Sequence, residues 1–212
     1  IHVPRPDAYP AVAQGHSDPL LPRQVVEDWA QLPPGWNFGE VPAVVVDRED
    51  NVWVLNNSPH PVIQFDKSGR MLRAWAEVPI IHGHGLRIDG DGNVWTVDTE
   101  ANRILKWTAD GRLLMVLGRK GGPAADNDSQ YSFNRPTNVA FLSNGDILVA
   151  DGYVNSRVVK YNKNGEFVLR WGSKGTADGE FDLVHDVAVD ARDRIYVADR
   201  NNRRVQVFDA DG

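Results

Sequence analysis

Two histidines in this chain stand at matched places. His84 and His185 each lie five residues before an aspartate, Asp89 and Asp190, in segments that otherwise align (HGLRIDGDGNVWTVDT and HDVAVDARDRIYVADR). Neutral imidazole nitrogen is a good zinc ligand, and two imidazoles arriving at one axis from separate repeats can share an ion. The same pair reads equally well as polar side chains satisfied by water and backbone. Competing chemistries fall away. The chain has no cysteine, which excludes a thiolate zinc site, a cysteine nucleophile and a disulfide scaffold. Asp89–Asn93 (DGDGN) begins like an EF-hand loop but has Val94 where that loop needs glycine and no closing glutamate, so it reads as a hairpin turn. GRKGG at Gly118–Gly122 lacks the Gly-Lys-Ser/Thr of a phosphate-binding loop, and there is no G-x-S-x-G.

Four repeats must position these residues. They begin PAVVVDREDNVWVLNN (Pro42), HGLRIDGDGNVWTVDT (His84), TNVAFLSNGDILVADG (Thr137) and HDVAVDARDRIYVADR (His185). Trp53, Trp95, Leu148 and Tyr196 are equivalent, with steps of 42, 53 and 48 residues. Asn56, Asp98, Asp151 and Asp199 are equivalent, as are the aromatics Phe65, Trp107, Tyr161 and Phe208, each four residues before a glycine. A period of about 40–50 residues marks a propeller or solenoid. VVVD, a polar turn and VWVL make one hairpin; RVVKY, NKNG and FVLRW make another. Two hairpins form one four-stranded propeller blade, and no stretch carries a helical period. The blades are expected at about 41–76, 82–118, 133–173 and 181–212. His84 and His185 then begin innermost strands two blades apart and point into the central channel.

The last repeat stops before its outer strand. VVEDWAQ (Val25–Gln31) resembles FVLRWGS (Phe167–Ser173), the outer strand of the third blade. It is expected to act as an outer closing strand, over 25–31, for a blade supplied by the rest of a longer chain or by a second chain. Residues 1–24, with five prolines, are expected to form an extended arm.

Composition narrows the partners. Lys and Arg number 23 against 29 Asp and Glu, a formal charge of -6, which argues against nucleic acid or an anionic membrane. No apolar run approaches the roughly 20 residues that span a bilayer.

HGLRID, FNRPTNVAF, DGYVNSRVVKY, GTADGEF and VADRNNRRVQVF, taken together, resemble the NHL-repeat peptidyl-α-hydroxyglycine α-amidating lyase family, its bacterial members above all. The resemblance covers roughly residues 25–212. It implies an all-β, NHL-type β-propeller of six blades, of which four are visible here in a truncated chain, and a location outside the cytoplasm. It also implies zinc at the channel mouth, with His84 and His185 as ligands and a third histidine beyond Gly212; two ligands fall short of the usual three, so this stretch by itself is expected to hold an incomplete, inactive site. A structural calcium on the axis would be held by the backbone carbonyl of Leu86, with Val44 as its equivalent in the first blade. Tyr153 matches the tyrosine that takes the proton of the substrate hydroxyl. Because a phenol ionises near pH 10, that role needs a cation close by. Arg200 matches an arginine that orients the substrate carboxylate or holds the tyrosinate. Where the family carries a second arginine, this chain has Asn57, which offers neither charge nor a bidentate fork. The implied reaction breaks a C–N bond in a small-molecule or peptide C-terminal α-hydroxyglycine, releasing an amide and glyoxylate.

Two rival readings use the same ring. A non-enzymatic NHL propeller would bind a protein or glycan on one face, since ring scaffolds host unrelated functions. A metal-dependent lactonase would need inner-strand carboxylates, and Asp186 alone qualifies.

Overall fold

The computed structural model describes residues 26–76, 78–119 and 126–212. The expected N-terminal arm and Val25 lie outside them. The described residues form four antiparallel sheets and no helix. Sheet one contains β1 (Ala43–Val46), β2 (Val52–Leu55), β3 (Val62–Phe65) and β4 (Met71–Trp75). Sheet two contains β5 (Gly83–Ile88), β6 (Val94–Asp98), β7 (Arg103–Trp107) and β8 (Leu113–Gly118). Sheet three contains β9 (Asn138–Phe141), β10 (Ile147–Asp151), β11 (Arg157–Tyr161) and β12 (Phe167–Trp171). Sheet four has β13 (Val184–Val189), β14 (Ile195–Asp199) and β15 (Arg204–Phe208). Each is a meander whose spatial order follows the chain, as a propeller blade requires.

The first hairpin of three sheets is closed by one device. The Asp47 carboxylate accepts from the Glu49 and Asn51 N–H groups at 3.0 and 2.9 Å and from the Trp53 indole at 2.8 Å. Asp89 holds the Trp95 indole in the same way at 2.9 Å, and Asp190 holds the Tyr196 hydroxyl at 3.1 Å. One side chain thus shapes the turn and fixes the aromatic on the next strand. Sheet three has no such donor. Leu148 replaces the aromatic, Leu142 replaces the aspartate, and both enter one apolar cluster.

A second device lies at the end of each second strand, where the side chain is fully buried. Asp98 accepts from the Ile81 and His82 N–H groups at 2.9 and 3.1 Å. Asp151 accepts from Asn134 N–H at 2.9 Å, and Asp199 from Asp182 N–H at 2.7 Å. Each carboxylate therefore grips the segment leading into its own innermost strand. Each also pairs with the arginine facing it on the third strand: Arg103, Arg157 or Arg204. In sheet one the carboxylate is replaced by Asn56, and the arginine position is Pro61. Losing the charge and its partner together leaves no unpaired ion buried.

The sheets pack face to face through apolar side chains. Trp53, Trp75, Leu86 and Trp107 fill the space between sheets one and two, with Trp75 lying 5.9 Å from Trp53 and 5.6 Å from Trp107 between ring centroids. Trp95, Phe133, Val149 and Tyr161 fill the next interface, and Leu148, Val158, Phe181 and Val197 the last.

Residues 26–31 are expected as an outer closing strand for a blade that the described residues do not include, and no strand partner is present for them here. They run as a turn and a bend, with a single parallel bridge from Gln31 to Arg70. Trp29 packs on Phe65 at 5.6 Å, and its indole donates to the Lys67 carbonyl at 3.2 Å. Trp29, Leu32, Trp36 and Phe38 cover the outer face of sheet one over Val54, Ile63 and Phe65.

Arg157 is the most enclosed of the paired arginines. It is fully buried against Asp151 at 2.8 Å and donates to the carbonyls of Asn127, Ser129 and Ser132. Arg157→Ala is expected to cost about 3–5 kcal/mol in a denaturant titration, because Asp151 is left as a buried, uncompensated charge. Arg204→Ala should cost less, since the Arg204 side chain is 26% exposed.

Candidate functional site

Both singled-out histidines occupy β-bulges. On β5 the register with β6 slips between Gly83 and Gly85, so His84 is the unpaired extra residue. On β13 it slips between Val184 and Asp186, so His185 is the extra residue. A bulge turns a side chain out of the regular alternation, and these two turn their rings toward each other. The glycine after His84 is required by space: a Cβ on Gly85 would lie 2.7 Å from Asn138 Oδ1 and 2.9 Å from Val97 Cγ2.

The imidazoles meet at Tyr153. His84 Nε2 lies 2.9 Å from the phenolic oxygen, and His185 Nε2 lies 3.2 Å from it. The two imidazole centroids are 5.2 Å apart. His84 Nδ1 lies 2.7 Å from the Thr137 carbonyl, an acceptor only, so Nδ1 carries the proton and Nε2 presents its lone pair. Burial, the largest cause, pushes both imidazoles below their ordinary pKa, and the charge of Arg200 adds to the effect. The result is a pair of neutral rings converging on one oxygen, built from sheets two, three and four.

The other expected site residues fall around this centre. Arg200 is exposed on the loop after β14, its N–H donating to the Leu183 carbonyl at 3.0 Å. Asp199 bonds Asn202 and Arg204 rather than Arg200. Asn57 plays a structural part, because its Oδ1 accepts from Gly83 N–H at 2.9 Å and so fixes the residue before His84. The Leu86 carbonyl accepts from Arg87 Nη1 at 3.0 Å, and Val44 is exposed on β1.

Sequence reasoning missed Arg135. Its guanidinium carbon lies 5.5 Å from the centroid of the Tyr153 ring. Its backbone is left-handed (φ 59°), pinned by the Asn102 side chain at 2.7 Å and by Tyr153 N–H at 3.3 Å. Arg135 stands in the FNRPTNVAF segment, but a positive φ has no signature in an arginine.

A model of the NHL repeat matches residues 133–161 and 181–208, which run through β9–β11 and β13–β15. This chain is an NHL-repeat β-propeller. Peptidylglycine alpha-amidating monooxygenase of Rattus norvegicus is 39% identical to it over 170 residues, covering 77% of this chain and 16% of that protein. Peptidyl-alpha-hydroxyglycine alpha-amidating lyase 1 of Drosophila melanogaster is 32% identical over 195 residues, covering 87% of this chain and 27% of that protein. The propeller thus spans roughly a sixth to a quarter of these curated relatives. A solved streptogramin B lyase matches with a TM-score of 0.62 and 16% identity, over 82% of this chain and 52% of that one. At that identity the likeness speaks for the fold alone.

The donor types of the NHL propeller fit a zinc-like cation. Two neutral imidazole nitrogens face one point, and the Thr137 carbonyl orients one of them as outer-shell partners do in metal sites. Among the described residues no third His, Asp or Glu joins them. Asp186, the nearest in sequence, is held by Arg87, Asn138 and the Val187 N–H.

Burial holds both folded-state values below 6.5, so these rings add no pH dependence well above that pH, where folded and unfolded chains are both neutral. Below it the unfolded chain takes up protons that the folded site refuses, so stability falls until the folded rings also protonate. In EDTA-treated protein, Tm is expected to drop between about pH 7.5 and 5.5, a window that brackets the ordinary imidazole pKa. The drop should be smaller in a His84→Gln, His185→Gln double variant.

Proposed function

We propose that this propeller is a carbon–nitrogen lyase acting on α-hydroxyglycine-type ends, with zinc held by Nε2 of His84 and His185. The observation that carries this reading is the convergence of His84, His185 and Tyr153 from three sheets on one point. The relatives whose names include an amidating lyase support it. Bound zinc would supply Lewis acidity toward a substrate oxygen.

The chain's own residues supply the rest. The Thr137 carbonyl keeps the His84 Nε2 lone pair directed at the site. The Tyr153 oxygen takes the hydroxyl proton of the substrate. As the hydroxyl oxygen becomes the carbonyl of glyoxylate, the C–N bond breaks and the pair of electrons goes to the amide nitrogen. That nitrogen recovers the proton, so atoms and charge balance. Arg135 puts a positive charge over the phenol ring, and Arg200 adds to the positive field at the two imidazoles. They also offer a carboxylate two forks where Asn57 offers none.

The test is direct. The intact natural protein, including whatever sequence follows Gly212, should contain zinc and release glyoxylate from α-hydroxyhippurate. Tyr153→Phe should lower kcat about 10²–10⁴-fold, the usual worth of a positioned acid or base. Zinc-replete protein that releases no glyoxylate would remove the lyase reading and leave the binding scaffold.

Arg135→Ala provides a finer check. It should raise KM for the anionic substrate about 10–100-fold, as expected for a lost charge-assisted hydrogen bond, and leave KM for the neutral C-terminal amide analogue unchanged.

A further inference from the structure

The four innermost strands enclose a recess of about 230 Å³, lined among others by Val44, His84, Arg87, Asn138, His185 and Asp186. The family resemblance places a calcium ion on this axis, with the Leu86 carbonyl among its ligands. The Leu86 carbonyl and the carboxylate that lines the recess are already engaged. Arg87 Nη1 donates to the Leu86 carbonyl at 3.0 Å. Arg87 Nη2 reaches Asp186 across the recess, at 3.1 Å to Oδ1 and 3.4 Å to Oδ2. Asp186 Oδ1 also accepts from Asn138 Nδ2 and from Val187 N–H, each at 2.7 Å.

Calcium needs six to eight oxygen ligands at about 2.3–2.6 Å. Here one carbonyl and the recess carboxylate point at a fixed positive charge. A divalent ion would have to displace the guanidinium and then tolerate it nearby. Arginine suits the place: its planar fork satisfies a carbonyl and a carboxylate at once.

We propose that Arg87 stands in for the axial calcium. Its guanidinium, with Asp186 and Asn138, ties together β5, β13 and β9, and the fold needs no divalent ion there. The tie runs beside the candidate site. Arg87 lies three residues after His84, Asp186 follows His185, and Asn138 follows Thr137, whose carbonyl holds His84. The linkage exists whether or not the site is a lyase, so its test needs no turnover.

The experiment pairs calcium titration calorimetry with thermal unfolding of the EGTA-treated chain, with and without about 1 mM calcium or magnesium (roughly a thousandfold above a typical sensor-site Kd). The unsubstituted protein should give no saturable calcium heat and the same Tm in all three conditions. Arg87→Gln should lower Tm by about 2–4 °C, the shift expected for one modest interaction in a chain of this size. Asp186→Asn should lower Tm similarly, and the double variant by no more than the larger single effect, since both remove one linkage. One-to-one calcium binding by the unsubstituted protein, or a Tm that calcium raises and EGTA lowers, would overturn the proposal even if the variants fail to fold. An unchanged Tm in Arg87→Gln would overturn it too.

Discussion

A buried carboxylate at the end of a second strand is the constraint on which this site depends. Asp98 and Asp199 accept the N–H groups of the residues leading into β5 and β13, the two strands that carry the histidines. Without such a grip, the approach to an innermost strand would be a free loop, and a bulge at its first residues would have no fixed origin. With it, Gly83 and Val184 start from set positions, and His84 and His185 become the residues that cannot pair. The matching arginines on the third strands keep those carboxylates from being isolated charges. Stability and site geometry are therefore one problem: the ion-paired carboxylates of sheets two and four also hold the approaches to the strands that carry the imidazoles.

The repeat made much of this legible. Equivalence of Asn56, Asp98, Asp151 and Asp199 could be read directly, because a residue that bonds backbone in every sheet recurs at a fixed offset from the aromatics. The sheets themselves were legible from the alternation of the half-buried strands and from the turns, which bound the fully buried runs between them. The segment at 26–31 was not. Its resemblance to β12 reports which residues are apolar, and an apolar residue records no partner. Within this chain, Trp29 meets Phe65 and the Lys67 carbonyl on the outside of sheet one.

Within the candidate site, residue types were more legible than roles. His84, His185 and Tyr153 stood out by position or resemblance, and their rings do meet. The bulges did not stand out, because register is a property of two strands and is absent from either one. Asn57 looked like a lost arginine, yet its amide is tied to the Gly83 backbone. Arg135 was invisible because its place over Tyr153 follows from a left-handed backbone that sequence does not encode for arginine. Arg87 was read only as part of a strand, although its charge crosses the recess to Asp186.

The two imidazoles are held unequally, and that difference matters for chemistry. His84 is bonded at both nitrogens, to the Thr137 carbonyl and to Tyr153, so its tautomer and ring plane are set before anything binds. Among the described residues, His185 is bonded at Nε2 alone, through the longer contact to the same phenol, and is less buried than His84. A ligand arriving at the shared point therefore meets one rigid nitrogen and one adjustable nitrogen. The rigid ring sets the location, and the adjustable ring can follow a small displacement at little cost. Tyr153 lies between them with a hydroxyl that either ring can engage. An arrangement that is fixed on one side and compliant on the other is what the proposed roles of Tyr153 and the two imidazoles call for.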